Sequence, residues 1–199
     1  QWIMPVIDLA YTDEEREADV VRFLEQATLG PTEALIQEVK AKGIEKWLDE
    51  QKALGYEFHA SVGNVADWDS TDDAFTKARE EHGPIDVLVN NAGITRDRMF
   101  LKMTPDEWQA VIDTNLNSMF NVTKQVVPGM VEKGWGRIIQ ISSVNGEKGQ
   151  AGQTNYSAAK AGVHGFSKAL ALEVAKKGVT INTISPGYIG TKMVTAIPK

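Results

Sequence analysis

The chain has 199 residues, of which 42% are hydrophobic, and its formal net charge is −6. This length allows one domain with a sizeable core, and the negative charge argues against a nucleic acid as partner. The absence of cysteine excludes disulfides and thiolate metal sites, and the three scattered histidines lack ligand spacing, so no metal site is predicted. The sequence has no apolar run long enough to span a bilayer and no signal peptide. We therefore expect a cytoplasmic protein without a membrane partner.

The segment from residue 1 to residue 45 is predicted to be mainly helical. Trp2 to Leu9 is apolar and predicts a short strand, although its proline favours a sheet edge or an irregular course. Thr12 to Glu15 has the sequence Thr-Asp-Glu-Glu, a capping box that opens a first helix. After a Gly-Pro break, a second helix is predicted from about Glu33 toward Leu54, with an interruption near Gly43.

The rest of the chain predicts strands that alternate with helices. Four apolar runs are predicted as strands: Tyr56–Val62, Ile85–Val89, Gly136–Ser142 and Val179–Ile184. A helix is predicted from Ser70 to Glu81, with Phe75 and Ala78 facing inward. A second capping box, Thr-Pro-Asp-Glu, begins at Thr104 and has proline at the first helical position. Trp108, in the helix that follows, is interpreted as a packing residue.

Two side chains near residue 160 suggest proton-transfer chemistry. Tyr156 and Lys160 are four residues apart in a predicted helix, so they share one face of it. A nearby cation favours phenolate and would lower the tyrosine pKa from its reference of about 10. Such a tyrosine can exchange a proton near neutral pH, and Ser143, at the end of the predicted strand, can offer its hydroxyl to the same reacting oxygen. The Tyr-x-x-x-Lys pattern alone is more often a solvated helix face.

Further motifs accompany this pair in a fixed order. Asn-Asn-Ala-Gly at 90–93 follows one strand, Thr-Asn-Leu at 114–116 lies inside the next helix, and Ser-Pro-Gly-Tyr at 185–188 follows the last strand. Together with Ser143 and the Tyr-x-x-x-Lys pair, they resemble the short-chain dehydrogenase/reductase family from about Glu45 to Ile197. The resemblance implies an α/β fold, with a Rossmann-like, doubly wound parallel sheet.

The resemblance also implies a set of site residues and a nicotinamide cofactor. The catalytic tetrad falls on Asn115, Ser143, Tyr156 and Lys160. Tyr156 is the expected acid, Ser143 hydrogen-bonds the reacting oxygen, and Lys160 lowers the tyrosine pKa and binds the nicotinamide ribose. Asn115 is expected to hold a water that connects the lysine to solvent, or else to be a capping or kink amide. The expected cofactor is NADPH, with NADH as the alternative, and its binding residues are Gly63, Asn64, Val65, Asn90, Ala92, Gly93, Ile94, Tyr156, Lys160, Pro186, Gly187 and Ile189.

Within the family, the sequence is most similar to the reductases that act on 3-ketoacyl thioesters. This implies reduction of acetoacetyl-CoA to 3-hydroxybutyryl-CoA, or of a 3-ketoacyl group on an acyl-carrier protein. Four residues match positions that line the substrate pocket: Asp97, Gln150, Gln153 and Tyr188. The two glutamines can equally be solvated loop residues. A homodimer is expected through the helices predicted at Thr104–Met130 and Asn155–Lys176.

The N-terminal part departs from the family pattern. Its first fifty residues contain no Gly-x-x-x-Gly-x-Gly turn, which would let a backbone approach a pyrophosphate. Residues 22–33 and 43–51 resemble instead a bacterial family of unknown function, which predicts a junction and hence a chimeric or truncated chain. We expect an atypical helical segment at 1–45 and a reductase core at 46–199, within one compact domain that also lacks the family's C-terminal strand. The alternatives are a diverged N-terminus of the same family, and a catalytically weak remnant that acts as a binding or assembly module. Residues 3–9 are expected to take the place of the missing first strand.

Overall fold

The computed structural model describes residues 33–54, 59 and 61–187. The chain divides into two compact units, Gln1–Asp86 and Val87–Lys199. The predicted strand at 3–9, the first predicted helix and the site residues Tyr188 and Ile189 lie outside the described residues. The predicted boundary at residue 45 stays a prediction. Among the helices of the described ranges, none combines the length and the apolar character that crossing a bilayer needs.

In the first unit, two short helices meet at a glycine. Helix α1 spans Glu33–Lys42 and helix α2 spans Ile44–Ala53. Gly43 between them has φ of 83°, a left-handed conformation that an L side chain rarely adopts, so the predicted interruption is confirmed. The ammonium of Lys42 contacts carboxylates on both helices, at 2.7 Å from Glu38 and 2.5 Å from Glu50.

Helix α3, Trp68–His82, begins two residues before its predicted start at Ser70. The reason is its cap: the carboxylate of Asp67 accepts the backbone N–H of Ser70 at 2.7 Å, which satisfies a donor of the first turn. Phe75 and Ala78 are buried as predicted. Ser61 and Val62, the described end of the predicted strand at 56–62, are not in a strand. His59 forms an isolated bridge, and the chain turns after Asn64, whose side chain accepts the backbone N–H two residues later at 3.0 Å.

The second unit is organised around a parallel sheet of three strands. They are β1 (Val87–Asn90), β2 (Gly136–Ile141) and β3 (Val179–Ile184), in the order β1-β2-β3. Three of the predicted strands are therefore confirmed, with β1 starting two residues later than expected. The register aligns Leu88, Ile138 and Ile181 in one buried row, and Asn90, Gln140 and Thr183 in the next row on the same face. Because the strands are parallel, all their carboxyl ends meet at one edge.

The long helices of this unit cover that face of the sheet. Helix α4 is Pro105–Ile112, and its predicted capping box is confirmed between Thr104 and Glu107. A π-helical turn, Asp113–Asn117, joins it to α5, Ser118–Lys133. The short α6 is Val144–Lys148, and α7 is Thr154–Val174. Asn90 on β1 donates to Thr123 of α5 at 3.0 Å, and Thr183 on β3 donates to Ser167 of α7 at 2.9 Å, so both helices lie over the same side.

Candidate functional site

The predicted catalytic and cofactor motifs of the second unit lie where the three strands end. Asn90 ends β1 and residues 91–94 follow it, Ser143 follows β2, and Pro186 and Gly187 follow β3. The segments after β2 and β3 stay hydrogen-bonded beyond the strands, because Val144 N–H donates to the carbonyl of Pro186 at 3.0 Å. The carboxyl edge of a parallel sheet is where α/β proteins bind ligands. The predicted cofactor residues Gly63, Asn64 and Val65 belong to the other unit.

Asn115 lies in the π-helical turn and is fully buried. Its Nδ2 donates to the carbonyls of Val111 and Ile94, both at 2.9 Å, and its Oδ1 accepts the N–H of Ile94 at 3.2 Å. Single π turns inside helices occur often at functional sites. Here one amide proton bonds the preceding helical turn, and the other, together with Oδ1, fastens the loop after β1 to the widened turn, which favours the structural interpretation of this residue.

Gly93 approaches two members of the predicted tetrad. A Cβ at this position would lie 2.6 Å from Oδ1 of Asn115 and 3.6 Å from Nζ of Lys160. Real side chains do not approach this closely, so the chain needs glycine where it passes the buried amide and ammonium. The neighbouring Asn90, also predicted to contact cofactor, directs its side chain to Thr123 in the core.

Lys160 is almost completely buried, with 3% of its surface exposed. Its Nζ donates to the carbonyl of Ile141 at 2.7 Å and lies 5.7 Å from the ring centroid of Tyr156. Burial disfavours the charged form and lowers the pKa of the ammonium from 10.5 to about 8. The proton of this lysine is therefore exchangeable near neutral pH, and within the part of the chain that the structure describes, two of the three Nζ donors remain for other partners.

The pKa of Tyr156 is raised above its usual value of 10.0, whereas the sequence predicted that it is lowered. Burial of the phenol is the largest cause of the upward shift, a hydrogen bond with Ser143 opposes it, and the charge of Asp97 adds to it. The prediction was wrong because spacing on a helix shows that Lys160 is close but not how deeply the phenol is buried. Tyr156 is consequently protonated at neutral pH.

Ser143 caps the short helix α6. Its Oγ accepts the backbone N–H of Asn145 at 3.1 Å. With an acceptor site used in this way, the hydroxyl proton is free to point toward the phenol oxygen of Tyr156, which fits a hydrogen bond that lowers the pKa of that phenol. The structure thus brings Ser143, Tyr156 and Lys160 together, as the sequence predicted.

Two residues of this region were missed by the sequence analysis. Asn155 is fully buried; its Nδ2 donates to the carbonyls of Arg96 at 3.0 Å and Glu107 at 3.1 Å, and its Oδ1 accepts the N–H of Tyr156 at 2.8 Å. His164 has its Nε2 3.1 Å from Oγ of Ser142 and 3.3 Å from Oγ of Ser185. The only sequence signal was the position of Asn155 at the start of a helix, where such side chains bond to backbone.

Of the predicted substrate residues, the structure brings two into contact. Nε2 of Gln153 donates to Oδ2 of Asp97 at 2.7 Å. The two loops are also joined by their backbones, because Arg98 N–H donates to the carbonyl of Gly152 at 2.8 Å. Gln150 is exposed in the loop before α7.

The described residues fit the nicotinamide end of a dinucleotide. Gly93 leaves a backbone surface without a side chain beside the lysine, and Lys160 keeps unused donors that suit ribose hydroxyls. For the pyrophosphate, the first fifty residues offer no glycine-rich turn, and most of them lie outside the described ranges.

The parallel sheet, with polar side chains gathered where its strands end, defines a Rossmann-like α/β protein. A family model described as short chain dehydrogenase matches residues 24–199. The chain therefore belongs to the short-chain dehydrogenase family, as its motifs predicted.

Known relatives resemble the chain over most of its length. It is 71% identical over 153 residues to an acetoacetyl-CoA reductase of Cupriavidus necator, which covers 77% of this chain and 62% of the relative. It is 64% identical over 151 residues to nodulation protein G of Azospirillum brasilense, covering 76% and 61% of the two chains. It is 52% identical over 134 residues to the 3-oxoacyl-(acyl-carrier-protein) reductase FabG of Vibrio harveyi, covering 67% and 55%. The chain spans less than two thirds of the length of these relatives.

Proposed function

We propose that this chain reduces a 3-ketoacyl thioester, acetoacetyl-CoA to 3-hydroxybutyryl-CoA, with NADPH as the reductant. The observation that carries the proposal is the cluster of Ser143, Tyr156 and Lys160 at the carboxyl edge of the sheet. The similarity to acetoacetyl-CoA reductases supports the substrate class. NADH is the alternative reductant, and a nicotinamide would supply the hydride that forms the new C–H bond.

The protein residues manage the proton of this reaction. Tyr156, with its raised pKa, is protonated at neutral pH and would transfer its proton to the oxygen of the reduced carbonyl. Ser143 would donate a hydrogen bond to the same oxygen as its negative charge develops. Lys160, whose pKa is about 8, would return a proton toward the tyrosinate after each turnover. Asn115 and Gly93 would keep the loop after β1 at the distance that this arrangement needs.

The substrate would contact the loops that carry Asp97 and Gln153. Their side chains are joined at 2.7 Å beside the helix of Tyr156, and an amide there can hydrogen-bond a thioester carbonyl. Similarity to 3-oxoacyl-(acyl-carrier-protein) reductases supports a carrier-protein thioester as the second candidate. A comparison of kcat/KM for the two thioesters distinguishes the candidates.

The decisive experiment compares wild type with Tyr156→Phe in a cofactor-oxidation assay with saturating acetoacetyl-CoA. The phenyl ring keeps the volume but has no proton to transfer, so kcat should fall by about 10²–10⁴-fold while NADPH binding is retained. Ser143→Ala should lose less, because the acid remains. Thr180→Ala, an exposed position at the start of β3, is the control and should keep full activity.

A wild-type rate no higher than that of Tyr156→Phe would contradict the enzyme proposal. It would favour the remnant alternative, in which the site is preserved without a competent dinucleotide site. A thermal-shift titration with NADPH then measures binding directly, because a ligand stabilises the folded state by RT ln(1 + [L]/Kd).

We also propose that the chain forms a homodimer through Thr104–Met130 and Asn155–Lys176. Large apolar side chains are exposed in these ranges, with 54% of Phe120 and 86% of Leu172 accessible. A two-fold contact would cover both faces at once. Light scattering at micromolar concentration should give twice the chain mass, and a monomer would contradict the proposal.

A further inference from the structure

Asn145 occupies an unusual position between the catalytic serine and the substrate loop. It lies two residues after Ser143, is only 8% exposed, and donates its backbone N–H to the serine Oγ at 3.1 Å. Its side-chain Nδ2 donates to Oε1 of Gln153 at 2.9 Å. Neither the motifs nor the family resemblance pointed to this residue.

Hydrogen bonds at both ends, from Asn145 and to Asp97, fix which way the amide of Gln153 faces. Because Oε1 of Gln153 accepts from Asn145, its Nε2 is the end that reaches Asp97, and it donates to Oδ2 at 2.7 Å. The three side chains therefore form a hydrogen-bonded network in which Asn145 donates to Gln153 and Gln153 donates to Asp97. A reversed glutamine would present its oxygen to the carboxylate and would be repelled.

Packing alone does not explain an asparagine at this position. Its Oδ1 is buried and has no hydrogen-bond partner among the residues that the structure describes. A buried acceptor without a donor destabilises the folded state, and an apolar side chain of similar size would avoid that loss. The donor Nδ2 is thus the feature of this side chain that serves a purpose.

We propose that Asn145 is a positioning residue of the reductase: it orients the amide of Gln153 and thereby holds the carboxylate of Asp97 beside the catalytic tyrosine. This inference rests on the proposed function in one respect, namely that Asp97 and Gln153 face the substrate. Through its backbone and its side chain, Asn145 links the serine that bonds the reacting oxygen to the loop that receives the thioester.

The charge on Asp97 offers a readout that needs neither cofactor nor turnover. The groups that act on the phenol of Tyr156 are Ser143, which lowers its pKa, and Asp97, which raises it, while the ammonium of Lys160 lies over the ring at 5.7 Å from its centroid. Releasing Asp97 should therefore lower the apparent pKa of the tyrosine. It is measured by ¹⁹F NMR of protein containing 3-fluorotyrosine, with the resonance assigned from Tyr156→Phe.

The first variant, Asn145→Leu, separates positioning from packing. We expect an unchanged or higher Tm, because the buried acceptor without a donor is gone, together with a measurable fall in the tyrosine pKa, because Asp97 raises it in the wild type. The KM for acetoacetyl-CoA should rise about five- to tenfold with a smaller change in kcat. An unchanged tyrosine titration in a folded Asn145→Leu protein would overturn the proposal, and so would a lower Tm with no other effect.

The second test reverses the direction of the hydrogen bonds that join residue 145, Gln153 and residue 97. In Asn145→Asp a carboxylate faces each end of the Gln153 amide, so whichever way the amide turns, its oxygen meets a carboxylate and one of the two contacts is lost. Adding Asp97→Asn supplies a donor to Oε1 of Gln153, so both hydrogen bonds of this amide form again in the opposite direction. Asn145→Asp should therefore raise KM strongly in wild type but less than about twofold in the Asp97→Asn background. Equal effects in both backgrounds would overturn the proposal.

The two readouts keep this inference distinct from the proposed function. If wild type shows no turnover, the reductase proposal fails, while the tyrosine titration of Asn145→Leu still decides whether Asn145 positions Asp97. If wild type turns over but the titration and KM do not respond to Asn145→Leu, only the positioning role fails.

Discussion

The buried ammonium of Lys160 predicts an unusual dependence of stability on pH. Its pKa is about 8 in the folded protein, against a reference of 10.5. Below pH 8 both the folded and the unfolded chain carry the proton, and the folded state bears the full cost of the buried charge. Between about pH 8 and pH 10.5 the folded protein has released the proton and the unfolded chain has not, so the free energy of unfolding rises with pH.

The size of the effect follows from the two pKa values. Integrating the difference in bound protons from pH 7 to pH 9.5 gives a rise of about 2 kcal/mol, out of a total of about 3 kcal/mol. Tyr156 opposes this rise only slightly, because its pKa is raised in the folded protein and the phenol of the unfolded chain, with its ordinary pKa of 10.0, begins to ionise only at the upper end of the window. Because only 3% of the surface of Lys160 is exposed, screening by solvent reduces this free energy only slightly.

Urea unfolding of wild type and Lys160→Met across this pH range measures the effect. The variant also removes the donor to the Ile141 carbonyl, but that loss does not vary with pH, so the slopes are compared. Lys168→Met, at an exposed position on the same helix, is the matched control and should keep the wild-type slope. Parallel curves for wild type and Lys160→Met would refute the reasoning, because they would show that Lys160 keeps its ordinary pKa in the folded protein.

Two further substitutions test the packing around the site. Gly146→Ala should destabilise the protein by about 1–3 kcal/mol in thermal unfolding, because its Cβ would lie 2.7 Å from the backbone carbonyl carbon of Lys160 and force α6 away from α7. The control is Gly129→Ala, which has open space at its Cβ and should be neutral or slightly stabilising in the same assay. Asn155→Leu should cost about 3 kcal/mol or more, because it strips partners from two carbonyls and one N–H. The control Asn117→Ala, an exposed amide, should change urea unfolding by less than about 0.5 kcal/mol, and equal costs for both would contradict this account.

The parts of the fold that were predicted correctly depend on local chemistry. A capping box needs only residues three apart, and the one at Thr104 formed as expected. Runs rich in apolar and β-branched residues identified β2 and β3 with little error, although burial alternates along both strands and only the first and third residues of β3 are buried. Helix α3 began earlier than predicted because Asp67 competes as a cap, and a single sequence does not rank two neighbouring caps.

The sequence predicted which residues lie in the site, but it did not predict their pKa values. Helical spacing was enough to place Tyr156 near Lys160. Their pKa values depend on burial, which comes from elements far away in the chain. Asn155 shows the same limit, because the carbonyls that it bonds lie 59 and 48 residues before it. The direction of the amide of Gln153 likewise depends on its contact with Asn145, which the spacing of the two residues does not reveal.

The row of Asn90, Gln140 and Thr183 affects how the sheet can assemble. These polar side chains lie next to the all-apolar row of Leu88, Ile138 and Ile181, and all three hydrogen-bond to the helices above, Asn90 and Gln140 to Thr123 and Thr183 to Ser167. Sliding one strand by two residues would keep its side chains on the same face but set a polar group among apolar ones, without its hydrogen bond. This row therefore specifies the register of the three strands, and with it the alignment of the three loops that follow them.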